Sequence, residues 1–331
     1  MASCLTISDY AVVLGKTGQT DWALQLEAMP VAPTLALINN RVLQYNILTD
    51  TDNTTDITFI INQDLAVRLL WLLQKVLAQL ATVPENAAVM LVLPELLTNE
   101  HVLAGFIDAL RRTFPTLLSH PACQLFPYGR SAALMALVAA RQLLHGGEPL
   151  VWVIGVDSPA TTILANLSLT MAVTDHQLNE PVVWSEGAVA LALRRSNTGL
   201  NCHYLATDAT VNNHTDETAL AQLFTAAAAR VDGPLSRIYM ADNGDSALTA
   251  CWQLQYPRLA PVITADSQLA LSAYVTGELG AAGGLYRFLH LYLGFALSSH
   301  TGFTLQCEIS ARLYRAVAVF SWQQASSISE R

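Results

Sequence analysis

Lysine is nearly absent from this chain. Only Lys16 and Lys75 occur among 331 residues, and the 17 Lys plus Arg form no basic block. Against 26 acidic residues they leave a net charge of −9. That balance excludes nucleic-acid binding driven by counterion release. Cysteine is sparse too. Cys4, Cys123, Cys202, Cys251 and Cys307 are scattered, and none forms a CxxC pair. Neither a structural zinc site nor a disulfide framework follows, and a reducing cytoplasm fits best. The eight histidines are equally dispersed, and the nearest pair, His290 and His300, lacks metal-ligand spacing. No metal is expected. No apolar run reaches the ~18 residues of a membrane span. The residues after Met1 show no basic region ahead of an apolar stretch, so no signal peptide is expected.

Apolar residues are what the chain has in plenty. They make up 52% of the sequence, and only 13% is charged. Mean hydropathy is +0.35. A large core or an extensive subunit interface is implied, and the length suits two domains or two fused halves.

Short apolar runs alternate with helical patterns. Strands are expected at 56–61, 89–93, 123–126, 151–156 and 188–193. Helices are expected at 65–81, at 99–114 with Asn99 as cap, and at 131–144. The second half keeps the rhythm. Strands are expected at 182–195, 201–207, 238–240 and 262–264, and helices at 217–231, 247–255 and 284–297. A hairpin of 303–309 and 316–322 closes the chain. Segments 50–56 and 207–218, rich in Asn, Asp and Thr, read as exposed loops. The alternation predicts a mixed α/β sheet with helices on both faces. Two halves of similar order suggest a structural duplication, here divided as 1–170 and 171–331.

Four stretches then carry a family resemblance, over roughly residues 85–330. Pro127-Tyr128-Gly129-Arg130-Ser131-Ala132-Ala133-Leu134 resembles the nucleophile elbow of a β-ketoacyl synthase. Val153-Ile154-Gly155-Val156-Asp157-Ser158 resembles the family's GGVDS strand end. Ser185-Glu186-Gly187-Ala188 opens a stretch that resembles its GEGAxxxxL strand. Thr276-Gly277-Glu278-Leu279-Gly280-Ala281-Ala282-Gly283-Gly284 resembles its GHxxGAAG turn. The resemblance implies a thiolase-like α/β fold, two similar halves in α-β-α-β-α layers.

It also implies a chemistry whose residues are missing. A decarboxylating condensation needs a thiolate at a helix N-terminus and two imidazoles for the oxyanions. The cysteine position holds Arg130, whose guanidinium stays charged and cannot attack a thioester. The first histidine position falls on Asn243 in the Asp242-Asn243-Gly244-Asp245 turn, and the second on Gly277. The family's lysine falls on Ser272. Ser310-Ala311-Arg312-Leu313-Tyr314 replaces its C-terminal glycine-rich loop. No catalytic residue and no cofactor are expected. Cys123, on the strand before the elbow, reads as a core cysteine rather than a displaced nucleophile. The glycines at 277, 280, 283 and 284 do not match GxGxxG and read as close helix packing. Glu186 reads as structural.

A cation at a helix N-terminus opposes the local dipole by about 0.3–1 kcal/mol, so Arg130 calls for a partner. Asp157, Glu186 and Asp242 are the candidates by position. With that partner Arg130 either plugs the former active site or faces solvent or an interface.

A ketosynthase-like chain without its cysteine resembles a chain-length factor of a type II polyketide or fatty-acid system. The Leu93-Pro94-Glu95 stretch and the 242–245 turn resemble subunits of the aryl-polyene type. That resemblance implies a cytoplasmic heterodimer with an active ketosynthase, joined through the edge strand at 123–126. An acyl carrier protein would be served through the partner. Cys123, Phe126, Tyr128, Arg130 and Met135 are the interface or tunnel candidates. Two other readings stand beside it. One is a decarboxylase or acyltransferase that polarises a malonyl thioester through Asn243. The other is a structural homodimer that scaffolds other enzymes.

Overall fold

The run Ala88–Val92 has no polar face because it is buried on both sides. In a computed structural model it is the second strand from one edge of a large sheet. The structure describes residues 4–15, 32–38, 41–49, 64–95, 99–163, 182–210 and 218–324. Their strands are β1 (Cys4–Leu14), β2 (Thr34–Ile38), β3 (Arg41–Tyr45), β4 (Ala88–Val92), β5 (Gln124–Phe126), β6 (Val151–Asp157), β7 (Val183–Trp184), β8 (Gly187–Ser196), β9 (Gly199–Ala209), β10 (Leu235–Met240), β11 (Gln268–Ala270), β12 (Phe303–Ile309) and β13 (Tyr314–Gln323). The longer helices are α1 (Leu65–Leu77), α2 (Glu100–Thr113), α3 (Ala132–His145), α4 (Thr218–Ala228), α5 (Ser246–Gln255) and α6 (Ala281–Ala296).

Among the described residues ten strands join in the order β11-β10-β12-β13-β9-β1-β8-β6-β4-β5. The sheet is two five-stranded halves, joined where Leu5 meets Leu200. Each half places its own strands, numbered along the chain, in the order third, second, fourth, fifth, first. Pairing directions match as well. In each half the third and fourth strands run parallel to the second, and the fifth runs antiparallel to both the fourth and the first. The same topology twice in one chain supports the expected duplication. The first half-sheet ends with β8, so the division expected at 170/171 falls ahead of its last strand.

Side-chain alternation sets the layers. Ala316, Ala318 and Phe320 of β13 face a central layer made by α3 and α6. Val317 and Val319, between them, face the outer helices α4 and α5. In β6, Val151 and Val153 face the centre, while Trp152, Ile154 and Val156 meet α1 and α2. The order is helices, half-sheet, α3 with α6, half-sheet, helices. This is the layered arrangement that the resemblance implied. It explains why α3 and α6 are apolar almost all round, since a helix between two sheets has no solvent face.

The expected helix cap forms. Asn99 accepts from His101 N and Val102 N at 3.0 and 3.4 Å. Several boundaries move. The strand expected at 262–264 is not formed. Val262 ends a 3-10 run, Tyr256–Val262, that carries Pro257 and Pro261, and the edge strand is β11 instead. Proline has no N–H for the ladder. Residues 207–209, read as loop, continue β9 opposite β13. α1 stops at Leu77, short of 81. The strand at 56–61 and the loop at 50–56 lie outside the described residues. β1 was not anticipated, because Ser8 and Asp9 interrupt its pattern where the ladder shifts register between Ile7 and Asp9.

Close approach of α3 and α6 depends on Gly284. A Cβ there would sit 2.5 Å from Ala133 Cβ and 3.0 Å from Arg130 O. Both neighbours are rigid, so Gly284→Ala is expected to cost about 1–3 kcal/mol, as overpacked cores do. Chemical denaturation would measure it.

Candidate functional site

The elbow is a turn, then a helix. Gly129 has φ +68° and opens a 3-10 turn, Gly129–Ser131, that runs into α3. Only glycine takes that φ without strain, and a Cβ there would also meet Glu95 Cγ at 2.8 Å. The turn places Arg130 at the helix N-terminus with its side chain directed into the protein.

Its partner is Glu278, which the sequence reading did not single out. Arg130 Nη2 lies 2.7 Å from Glu278 Oε2, and Nε lies 3.1–3.2 Å from both oxygens. Arg130 Nη1 also donates to Ile309 O at 3.4 Å. The three expected partners are engaged elsewhere. Asp157 accepts from Ser158 N and Ala281 N, each at 2.7 Å. Glu186 binds Arg68, Ser158 Oγ and Leu48 N. Asp242 accepts from Thr249, Trp252 Nε1 and Tyr274. Each of these carboxylates is bonded to donors other than Arg130, and Glu278 is the one that Arg130 meets.

Asn243 joins the same carboxylate. Its Nδ2 donates to Glu278 Oε2 at 2.7 Å, and its Oδ1 accepts from Asp245 N at 2.9 Å. Gly280 N donates to Glu278 Oε1 at 2.7 Å. Two of the positions inferred from the resemblance, Arg130 and Asn243, therefore meet on one carboxylate. Gly277 brings no side chain, and the residue after it supplies the group. Ser272 is drawn into a second pair, where Arg287 Nη1 donates to its Oγ at 3.3 Å. Arg287 Nε bonds Glu308 Oε1 at 2.7 Å, and its Nη2 pairs with the other oxygen. Gln306 Nε2 donates to Glu308 at 2.8 Å. Two guanidinium groups and two carboxylates thus form a neutral buried cluster. Their sequence signal was a lone charge in an apolar element: Arg287 within α6, Glu308 within β12.

The helix N-terminus is occupied as well. Ser131 N donates to Ser310 Oγ at 3.0 Å, and Ser310 Oγ donates to Tyr128 O at 2.5 Å. That amide is not free for a ligand oxygen.

Above Arg130 lies a cleft of about 290 Å³, bordered by Glu95, Asp157, Ile163, Trp184 and Arg312. Among the described residues no His, Cys or Ser lines it. Cys123 stands apart, with the outer cluster of α1 and α2. Its Sγ accepts from Val89 N at 3.3 Å, and burial pushes the thiol above its usual pKa. Phe126, Tyr128 and Met135 sit in or against the central layer, Phe126 fully within it.

The carboxyls titrate in opposite senses. Burial raises Asp157, and the nearby charge of Glu278 adds to that, to about 7. Burial also acts to raise Glu278, but the Arg130 charge and hydrogen bonds outweigh it and hold the carboxyl below its usual value.

No protein-family model and no curated protein matches the sequence. Solved structures do match in shape. The ishigamide ketosynthase/chain length factor superposes with TM-score 0.63 at 17% identity, over 97% of this chain and 100% of that one. An oxazolomycin ketosynthase domain from Streptomyces albus gives TM-score 0.63 at 12% identity, over 97% and 75%. A type II polyketide ketosynthase bound to the hexaketide, in complex with its acyl carrier protein, gives 0.57 at 12%, over 97% and 99%. The fold is that of the thiolase-like ketosynthases. Among its described residues no helix is long and apolar enough to cross a membrane.

Removing Arg130 would leave Glu278 charged and buried. Arg130→Ala is expected to destabilise by about 3–5 kcal/mol. With Glu278→Ala added, the double variant should lose less than the sum of the singles, which a double-mutant cycle in urea would read. The pH dependence has two signs. Stability from Glu278 is complete above its unfolded pKa and is lost as pH falls through its lower folded value. Stability from Asp157 is complete below its unfolded value of 3.8 and declines as pH rises to about 7. Asp157→Asn should remove that second decline in melting scans between those limits.

Proposed function

We propose that this chain is a catalytically inactive ketosynthase-like subunit. It pairs with an active β-ketoacyl synthase in the cytoplasm as the chain-length factor of a type II polyketide or fatty-acid system, of the aryl-polyene type. The observation that carries this reading is the Arg130–Glu278–Asn243 contact. The place of a nucleophile holds a guanidinium, and the groups around it satisfy one another. A thioester carbonyl arriving there meets neither thiolate nor imidazole. Asn243 is a poor candidate for polarising a malonyl thioester, since both ends of its amide are already bonded.

The edge of the sheet supports a pairing role. Among the described residues β5 pairs with β4 and is the last strand of the sheet, with Gln124 exposed and Leu125 half-buried. An open strand edge is a template for another chain's backbone. In the proposed pair it joins the active subunit, whose acyl chain grows from its own cysteine on substrates brought by an acyl carrier protein. Phe126, Tyr128 and Met135, beside that edge, then help set the depth of the tunnel.

Coexpression with a cysteine-bearing ketosynthase from the same gene cluster is expected to give a one-to-one heterodimer. The chain alone should condense no acyl-carrier-protein substrate. Arg130→Cys should remain inactive, because a thiol alone lacks the imidazoles that stabilise the oxyanions. Condensation by the chain alone, abolished by Cys123→Ala, would sink the proposal. Purification only as a homodimer, with the ketosynthase present, would favour a scaffold instead.

A further inference from the structure

Strand β10 presents its side chains to two faces in turn. Ile238 and Met240 pack outward with α4 and α5, while Tyr239 faces the central layer. Arg237 shares Tyr239's face by the two-residue period of a strand. From α6, Tyr286 and His290 come to meet them, one helical turn apart. With β11 and the segment after it they enclose a cavity of about 190 Å³. It lies apart from the cleft above Arg130, and none of its lining residues is shared with it.

The cation in this cavity is half-exposed and, among the described residues, has no carboxylate partner. Arg68, Arg130 and Arg287 are each paired with a carboxylate. Arg237 donates to the amide oxygen of Gln268 at 2.9 Å and, among the described residues, pairs with no carboxylate. Among the described residues no Asp or Glu lines the cavity. The remaining polar groups do not offset the cation. Tyr239 and Tyr286 keep their protons, since burial raises both phenols far above their usual range. His290 lies 2.8 Å from the Tyr239 hydroxyl through Nδ1. Burial, with the charges of His300 and Arg237, lowers it to about 3, so at neutral pH it is uncharged. The cavity therefore presents a guanidinium to a ligand, with the bonded Tyr239–His290 pair beside it. Its other wall is apolar, with Leu271 and Val275.

We propose that this cavity binds a small organic monocarboxylate, its carboxylate on Arg237 and its short apolar tail against Leu271 and Val275. Guanidinium and carboxylate match in geometry as well as charge. The volume is below the ~300 Å³ at which sites for drug-sized ligands begin, which limits the tail to a few carbons. The site stands whether or not the chain is a chain-length factor.

Calorimetry on the full chain with sodium butyrate is the test, with melting scans alongside. Saturable binding and a dose-dependent rise in Tm are expected, while 1-butanol and butylammonium give neither. Arg237→Gln should weaken butyrate binding by about tenfold or more, as loss of a charge-assisted pair does. Should that variant misfold, Leu269→Trp serves in its place. Leu269 lines the cavity and is 44% exposed, so a larger ring there narrows the entrance without touching the charge. No saturable binding by butyrate, or unchanged binding in the folded variants, would overturn the proposal. So would phosphate binding as tightly as butyrate, since the apolar wall would then have no role.

Discussion

The Arg130–Glu278 pair holds the centre of this molecule together. A guanidinium at the N-terminus of α3 opposes the helix dipole and must give up water, so its place is unfavourable until a carboxylate arrives. Glu278 comes from the turn before α6, Asn243 from the turn after β10, and Ile309 O from the end of β12. One contact thus gathers both central helices and the second half-sheet. The neighbouring Arg287–Glu308 pair repeats the logic from α6 to β12. Pairs of this kind add little net stability over a well-packed apolar core. Removing one partner alone is costly, because it leaves the other buried and uncompensated.

That dependence bears on what the fold can do. A condensing site requires a nucleophile held short of its partner, and donors left open for a developing oxyanion. Here the donors are closed on one another. Arg130 and Asn243 share Glu278, and Ser131 N is taken by Ser310. Under the proposed reading the chain's contribution moves from its centre to its edge, where β5 is the last strand among the described residues.

Much of the fold was legible because its elements are strongly patterned. α2 begins at the cap the sequence offers, and the closing hairpin lies where two apolar runs flank a short polar turn. The repeated order of the halves was visible as rhythm, although the strand order was not, since pairing partners are far apart in sequence. The site was legible by position and not by contact. Arg130 stood out as a charge in an apolar frame. Its partner did not, because Glu278 follows the glycine that the resemblance pointed to, and a shift of one residue exchanges hydrogen for a carboxylate. β1 was hidden by Ser8 and Asp9, where the ladder's shift in register breaks the alternation that marks a strand.

The duplication gives the two cavities a common frame. β4, β5 and α3 stand in the first half as β10, β11 and α6 stand in the second. On the central face of β4 lie Ala88, Met90 and Val92, all apolar and all buried. On the matching face of β10 lie Arg237 and Tyr239, with His290 opposite. A fold that repeats its topology need not repeat its chemistry. The first half puts Arg130 at its helix N-terminus, where Glu278 from the second half cancels it. The second half instead sets a half-exposed cation in a cavity wall, with no carboxylate paired to it among the described residues.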